Sequence, residues 1–389
     1  MMIPLFRSVL LLAVMHSASG AQAPVSRGTF VVALGVDTIA IESFTRWSDR
    51  VEGVLVRRSP VTRVHHYVVR LGDGGLPRRF DDTLRLADGA AVTTGPRRFS
   101  VDFREDSAIV EVQGDSLLRR RVALAFGFPA LPESYALYEI WLASLRARGV
   151  DSAAVGLVGP AGGPAGRLPV RLVSPDSARA WILGAPLRML TDAAGRLLAL
   201  DGTATTLKYE VTRVEHTDLG GIAASFAARD AAGRSLGLWV SPRDTTRATV
   251  GRATVIIDYG RPAARGRDVF RRGVLGDTLW RTGANAATQL EVSQDVEIGG
   301  RPLPAGKYTL WTRVAPDNSG YELVVNSQTG QWGTQHDPAR DLFRVPLRAD
   351  PLAQGVDLFT IAVVPSGPAA AALVLRWDRT QLSTPIRTR

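Results

Sequence analysis

The chain has 389 residues, no cysteine, and 47 Lys plus Arg against 37 Asp plus Glu, for a formal charge of +10. Without cysteine there is no disulfide and no thiol chemistry, and the length is enough to build two or three cores with no covalent staple. The charge does not mark a nucleic-acid binder: it is nearly all Arg, scattered singly or in short runs such as Arg119-Arg120-Arg121, with lysine only at Lys208 and Lys307.

The first 21 residues read as an export signal. Met1 to Arg7 carries one positive charge, Ser8 to Met15 is apolar, and Ala18-Ser19-Gly20-Ala21 supplies small residues for cleavage. The apolar run is far short of the roughly 20 residues that span a bilayer, and no later segment is long and apolar enough to do so. A periplasmic or secreted protein with no transmembrane segment after cleavage is therefore expected.

From Thr29 the pattern is strand after strand. Thr29 to Ile41 is apolar and β-branched with a break at Gly35 and Asp37, Val51 to Arg57 alternates, and Val64 to Leu71 ends in Gly72-Asp73-Gly74-Gly75. Phe99 to Phe103 and Ser107 to Val112 repeat the theme, at spacings that suit an antiparallel all-β unit. His65 and His66 fall in one strand, so their rings face opposite ways and cannot share a metal. A helix is expected near 132–148, opened by Pro132-Glu133, striped by Leu137, Ile140, Trp141 and Leu145, and closed by Gly149. Gly159 to Gly166 is a loop without phosphate-cradle spacing. Strands resume at Leu168 to Val173, Ala180 to Leu183, Leu197 to Leu200 and Thr206 to Val214. Ile222 to Asp230 and Ser235 to Val240 read as one more hairpin about Gly233.

The N-terminal unit is accordingly taken as 24–237 and the C-terminal unit as 238–389. In the latter, Ala253 to Tyr259 alternates. Leu290 to Ile298 reads as a single strand with Leu290, Val292, Val296 and Ile298 inward. Strands at Tyr308 to Val314, Tyr321 to Val325, Leu358 to Val364 and Leu373 to Trp377 bring the total to seven or eight. The fold class is mainly β: two antiparallel domains, the first with at least one helix packed on its sheet, the second a β-sandwich or jelly roll.

Gly276 to Trp311 sets an Arg, an Asn and two Thr between Trp280 and a strand of strict alternation. Tyr259, Arg261, Arg267, Trp280, Arg281, Asn285 and Thr288 form the candidate ligand set. Guanidinium forks recognise carboxylate, phosphate or sugar hydroxyls, and Asn and Thr add neutral donors and acceptors. The same residues also suit a purely structural network, with Arg bonding loop carbonyls and Asn285 capping a turn.

Catalytic patterns are missing: there is no Cys nucleophile, His-Glu-x-x-His or Gly-x-Ser-x-Gly, and Gly300 to Lys307 has the wrong spacing for a P-loop. His336 with Asp337 and Asp341 is the one local metal candidate of the C-terminal unit, and a solvated loop is the simpler account. No cofactor is expected. A small polar or anionic ligand, or an envelope partner, is the expected binding target. The alternatives are a hydrolase of envelope polymers, needing Asp258, Asp277 or Asp341 to converge with Arg281, and a structural envelope protein with no ligand.

Ser241-Pro242, Tyr259-Gly260-Arg261-Pro262, Arg265-Gly266-Arg267, Trp280-Arg281-Thr282-Gly283-Ala284-Asn285, Thr288, Pro304-Ala305-Gly306-Lys307-Tyr308 and Trp332-Gly333 occur in that order. Together they resemble domain-of-unknown-function family 2911 over about residues 238–380. The resemblance implies a compact β-rich bacterial domain, mostly exported, and no established activity.

Overall fold

The computed structural model describes residues 23–160, 166–182, 184–205, 207–215, 217–236, 240–267, 269–270, 279–314 and 320–388. The expected export signal lies outside them, as does most of the Gly159 to Gly166 loop.

Fifteen strands form the first sheet. The first eight are β1 (Ser26–Leu34), β2 (Asp37–Arg46), β3 (Arg50–Arg57), β4 (Arg63–Leu71), β5 (Pro77–Arg85), β6 (Arg98–Phe103), β7 (Ser107–Gln113) and β8 (Leu117–Ala123). The others are β9 (Gly127–Pro129), β10 (Ser152–Val158), β11 (Gly166–Ser174), β12 (Ser177–Ile182), β13 (Ala185–Thr191), β14 (Leu197–Asp201) and β15 (Glu210–Val214). Two meanders meet where β1 pairs with β15, and every pairing is antiparallel except β9 with β10. The alternation read at Val51, Gly53 and Leu55 holds, since all three are buried while Glu52 is exposed.

Helix α1 (Ala136–Ala147) lies on this sheet. Its Leu137, Ile140, Trp141 and Leu145 join Phe30, Tyr67, Phe80 and Phe128 in one core. It starts later than Pro132-Glu133. Glu133 has φ 62°, which a right-handed helix cannot use. The cap comes from the sheet instead: the buried Glu42 carboxylate accepts from the Tyr135 N–H at 2.6 Å and the Ala136 N–H at 2.8 Å. At the other end Gly149 (φ 62°) donates to Arg146 and Val150 to Leu145, a Schellman closure.

The second helix corrects a sequence expectation. Ile222 to Asp230 is not a strand but part of α2 (Leu219–Ala231). Asp218 caps it by accepting from the Gly221 N–H at 3.1 Å, and Gly233 and Arg234 close it by donating to Asp230 and Arg229. Only Ala223 and Phe226 are buried, three residues apart, against Ile41, Val56 and Val64. So narrow a stripe does not distinguish the two periods. Of Ser235 to Val240, residues 237–239 lie outside the described set.

The second sheet has nine described strands: β16 (Arg243–Val250), β17 (Ala253–Gly260), β18 (Thr288–Val292), β19 (Val296–Ile298), β20 (Arg301–Leu303), β21 (Gly306–Val314), β22 (Tyr321–Asn326), β23 (Asp341–Gly367) and β24 (Ala370–Thr388). Their order is β16-β17-β18-β21-β22-β23-β24-β19-β20, and all pairings are antiparallel. The long β23 pairs first with β22 and then with β24, so the ladder folds over its own core, and β16 reaches across to it where Thr246 donates to Ile361 O. Leu290 to Ile298 is therefore not one strand. β18 pairs with β17 and β21, while β19 has moved to β20 and β24. Leu290, Val292, Val296 and Ile298 are nevertheless all buried, because both strands face the same core.

The two sheets touch at the β1–β2 turn. The Val36 N–H donates to Arg265 O at 3.0 Å, and the Arg265 guanidinium pairs with the Asp37 carboxylate. Gly35 permits the approach: it has φ 62°, and a Cβ there would sit 2.5 Å from Arg265 O.

Candidate functional site

Beside this contact a cavity of about 340 Å³ opens between the sheets. One wall comes from the N-terminal unit: Leu34 ending β1, Arg57 ending β3, Glu133, Ile182, Leu207, Lys208 and Tyr209. The other holds Arg265, Arg267, Trp280, Arg281, Asn285, Trp332 and Trp377. Of the seven residues expected from sequence, Arg267, Trp280, Arg281 and Asn285 line this space.

The Trp280 to Asn285 loop is held from several sides. The Trp280 and Thr312 backbones exchange two hydrogen bonds of 2.7 Å, the Trp280 indole donates to Gly283 O, and Thr288 Oγ1 donates to Thr282 O at 2.7 Å. The Gly333 N–H donates to Asn285 O. Gly333 must be glycine here, because a Cβ would lie 1.8 Å from Arg281 Cδ and 2.5 Å from Asn285 O.

The other three expected residues are engaged with the protein itself. Tyr259 is 1% exposed and accepts from the Ile361 N–H. Arg261 donates to Phe359 O and Thr360 Oγ1 and pairs with Asp244. Thr288 is fully buried. Trp280, 3% exposed, stacks on Trp377 with centroids 5.3 Å apart, so its ring is wall rather than a platform for a sugar.

Charge distinguishes the cavity. Its described lining carries five basic side chains and one acid, Glu133. Glu133 is bound to Arg57 at 2.6 Å, and Arg265 to Asp37. Among the described residues Lys208, Arg267 and Arg281 have no carboxylate within ion-pair distance. Arg267 spends its guanidinium on Ala263 O and Ala264 O, and Lys208 donates to Thr203 O. Among the described residues the Arg281 side chain makes one hydrogen bond, to Gly333 O at 3.5 Å, and its Nε is buried without a partner. Burial pulls Arg281 down to about 10, so it stays charged at neutral pH. Lys208 is pulled down to about 8 by burial first and then by the charges of Arg281 and Arg267. Arg265 Nε and the Trp332 indole N–H are further buried, unpartnered donors in the same wall.

The backbone is unusual here too. Seven described non-glycine residues have positive φ, and four of them, Glu133, Lys208, Arg265 and Asn285, line this cavity. Thr282, β-branched at φ 50°, sits between two lining residues. Such conformations cost of order 1–3 kcal/mol each and cluster at functional sites.

Of the acids named for a hydrolase, the two described ones are placed elsewhere. Asp258 pairs with Arg243, Asp341 holds His336 at 2.8 Å and Asn326 at 2.9 Å, and Asp277 lies outside the described residues. Asp337 caps the short turn at Ala339. No group of three metal-binding side chains occurs among the described residues. His65 is buried on Asp82 while His66 is exposed on the other face. Lys208, Glu133, Tyr209 and Trp332 were not singled out from sequence as site residues. Lys208 carried a usable signal as one of two lysines in an Arg-rich chain.

Residues 241–386 match the family model of DUF2911, a protein family of unknown function, close to the span expected from the motifs. No curated protein matches the chain. Among solved structures it is similar to a DUF1089 family protein from Pseudomonas aeruginosa, at 15% identity and TM-score 0.33, covering 43% of this chain and 92% of that one. It is also similar to a β-barrel-like protein of domain of unknown function DUF1849 from Brucella abortus, at 10% identity and TM-score 0.32, covering 49% and 95%.

Proposed function

We propose that the cavity between the two sheets binds a small anion, carboxylate or phosphate, with Arg281 as its main contact and Lys208 and Trp332 as further donors. The observation that carries this reading is Arg281 itself. A guanidinium has five N–H donors, and among the described residues this one has a single long hydrogen bond and no acid within ion-pair distance. A buried charge without a partner is costly and is retained where something else supplies the partner. Every unsatisfied group named in the wall is a donor, which selects an acceptor-rich ligand. The signal-like residues 1–21 support export, so the ligand would be met outside the cytoplasm.

Because both units line the cavity, the test needs the full chain. Isothermal titration with phosphate, sulfate and acetate should give saturable binding that Arg281→Met removes while leaving the circular dichroism spectrum unchanged. Equal binding by wild type and Arg281→Met would sink the proposal.

A further inference from the structure

A second cavity, about 440 Å³, lies under the N-terminal end of α1. Its wall includes Pro129, Leu131, Leu137, Tyr138, Trp141 and Leu157. Its carboxylate and its serine are already used: Glu133 holds Arg57, and Ser134 donates to Glu42. The space is therefore lined mainly by hydrocarbon and aromatic surface, with the hydroxyls of Tyr135, Tyr138 and Tyr209 among its remaining polar side-chain groups.

This cavity adjoins the cationic one. Glu133, Leu207 and Tyr209 line both. Leu207 is 37% exposed, a large aliphatic side chain at the boundary that the core does not absorb. A single ligand entering across these residues meets two environments in sequence, first the donors of Arg281, Lys208 and Trp332, then an apolar chamber.

We infer that the anion bound between the sheets carries a single apolar tail, and that the chamber under α1 houses it. The inference rests on the anion-binding reading above and deepens it. The ligand class is a single-chain anionic amphiphile: a medium-chain carboxylate or an alkyl phosphate. The head is fixed by charge, and the tail contributes through removal of hydrocarbon from water, which grows with each methylene until the chamber is full. Two-chain lipids do not fit this description, because one chamber adjoins one cationic site.

The test is a chain-length series on the full-length protein. Inorganic phosphate, butyl, hexyl, octyl and decyl phosphate are titrated below their micelle concentrations, with acetate to decanoate as the matching carboxylates. Affinity should rise by up to roughly fourfold per methylene and then level off. Leu157→Trp, which fills the chamber, should bring octyl phosphate back to the affinity of inorganic phosphate. Ala130 is also in the chamber wall, and Ala130→Phe serves the same purpose should Leu157→Trp fail to fold. A flotation assay with vesicles containing phosphatidic acid separates the other source of the same headgroup: no flotation is expected. Affinity independent of chain length, with inorganic phosphate still bound, overturns the tail and leaves the anion site. Flotation without binding of soluble amphiphiles overturns the free-ligand assignment. Absence of binding by every anion overturns both readings.

Discussion

Replacing Arg281 by methionine should stabilise the ligand-free protein. In most β-rich domains an enclosed arginine bonds several loop carbonyls, and its removal orphans them. Here, among the described residues, the side chain has one hydrogen bond, at 3.5 Å, and its Nε has none. What the native state carries instead is a desolvated charge. The drop of the guanidinium to about 10 is due to burial alone, and its free-energy equivalent is on the order of 3 kcal/mol. Residual solvent screening lowers that ceiling, and methionine keeps an aliphatic stem against Gly333. A gain of about 1–3 kcal/mol follows, in line with apolar replacements of poorly paired buried ions. The assay is urea unfolding of the full chain at pH 7 in a buffer free of phosphate and sulfate. The midpoint should rise with an unchanged slope, since the surface exposed on unfolding is the same. Saturating sulfate should then stabilise the wild type and leave the variant where it was. A loss of 2 kcal/mol or more in Arg281→Met would refute the reasoning, because only a structural network loses stability in that way.

The surrounding geometry makes further predictions. Gly333→Ala pushes a Cβ into Arg281 Cδ and Asn285 O, so it should cost about 1–3 kcal/mol and weaken sulfate binding. The double variant with Arg281→Met should recover only part of the loss, because the Asn285 carbonyl remains. Stability and anion affinity should move in opposite directions above pH 8. With Lys208 pulled down to about 8 and an unfolded lysine near 10.4, the unfolded chain holds more protons between those values. Stability therefore rises with pH there, by at most about 1.4 kcal/mol per pH unit. Sulfate, whose own charge is constant, should lose up to tenfold in affinity per pH unit over the same window, and Lys208→Met should flatten both curves. Asp37→Asn removes the partner of the enclosed Arg265 guanidinium and should cost about 1–3 kcal/mol. Calorimetry should then show the two units unfolding less cooperatively.

Much of the β architecture was legible because alternation and turn glycines mark it. Val51, Leu55, Val255 and Ile257 are inward where period two puts them. Elements went unread where burial leaves no alternating trace. β8 buries only Val122 through a run of arginines, and α2 buries only Ala223 and Phe226. The break between β18 and β19 is invisible because both halves bury the same phase of residues on the same core. Sequence located the Arg281 to Asn285 loop as the place to look, and it could not separate Arg281 from Arg261. The two differ in what reaches them: Phe359 O and Asp244 meet Arg261, while among the described residues a distant carbonyl is the one acceptor that meets Arg281.

The other half of the site could not be read as a site at all. Glu133, Leu207, Lys208 and Tyr209 lie in a different unit, and the contact of Val36 and Asp37 with Arg265 brings that wall over the loop. What ties the two halves together physically is the backbone. Lys208, Arg265 and Asn285 occupy left-handed conformations in which glycine would cost less. Asparagine tolerates that region well, but lysine and arginine have no local hydrogen bond to gain from it. At Arg265 the return is visible in the pair with Asp37 that holds the sheets together. At Lys208 the described structure offers one carbonyl and a weak attraction from Asp201 against two repelling arginines, a poor return for a strained and desolvated ammonium. An anion between Lys208 and Arg281 would reverse that balance at both residues.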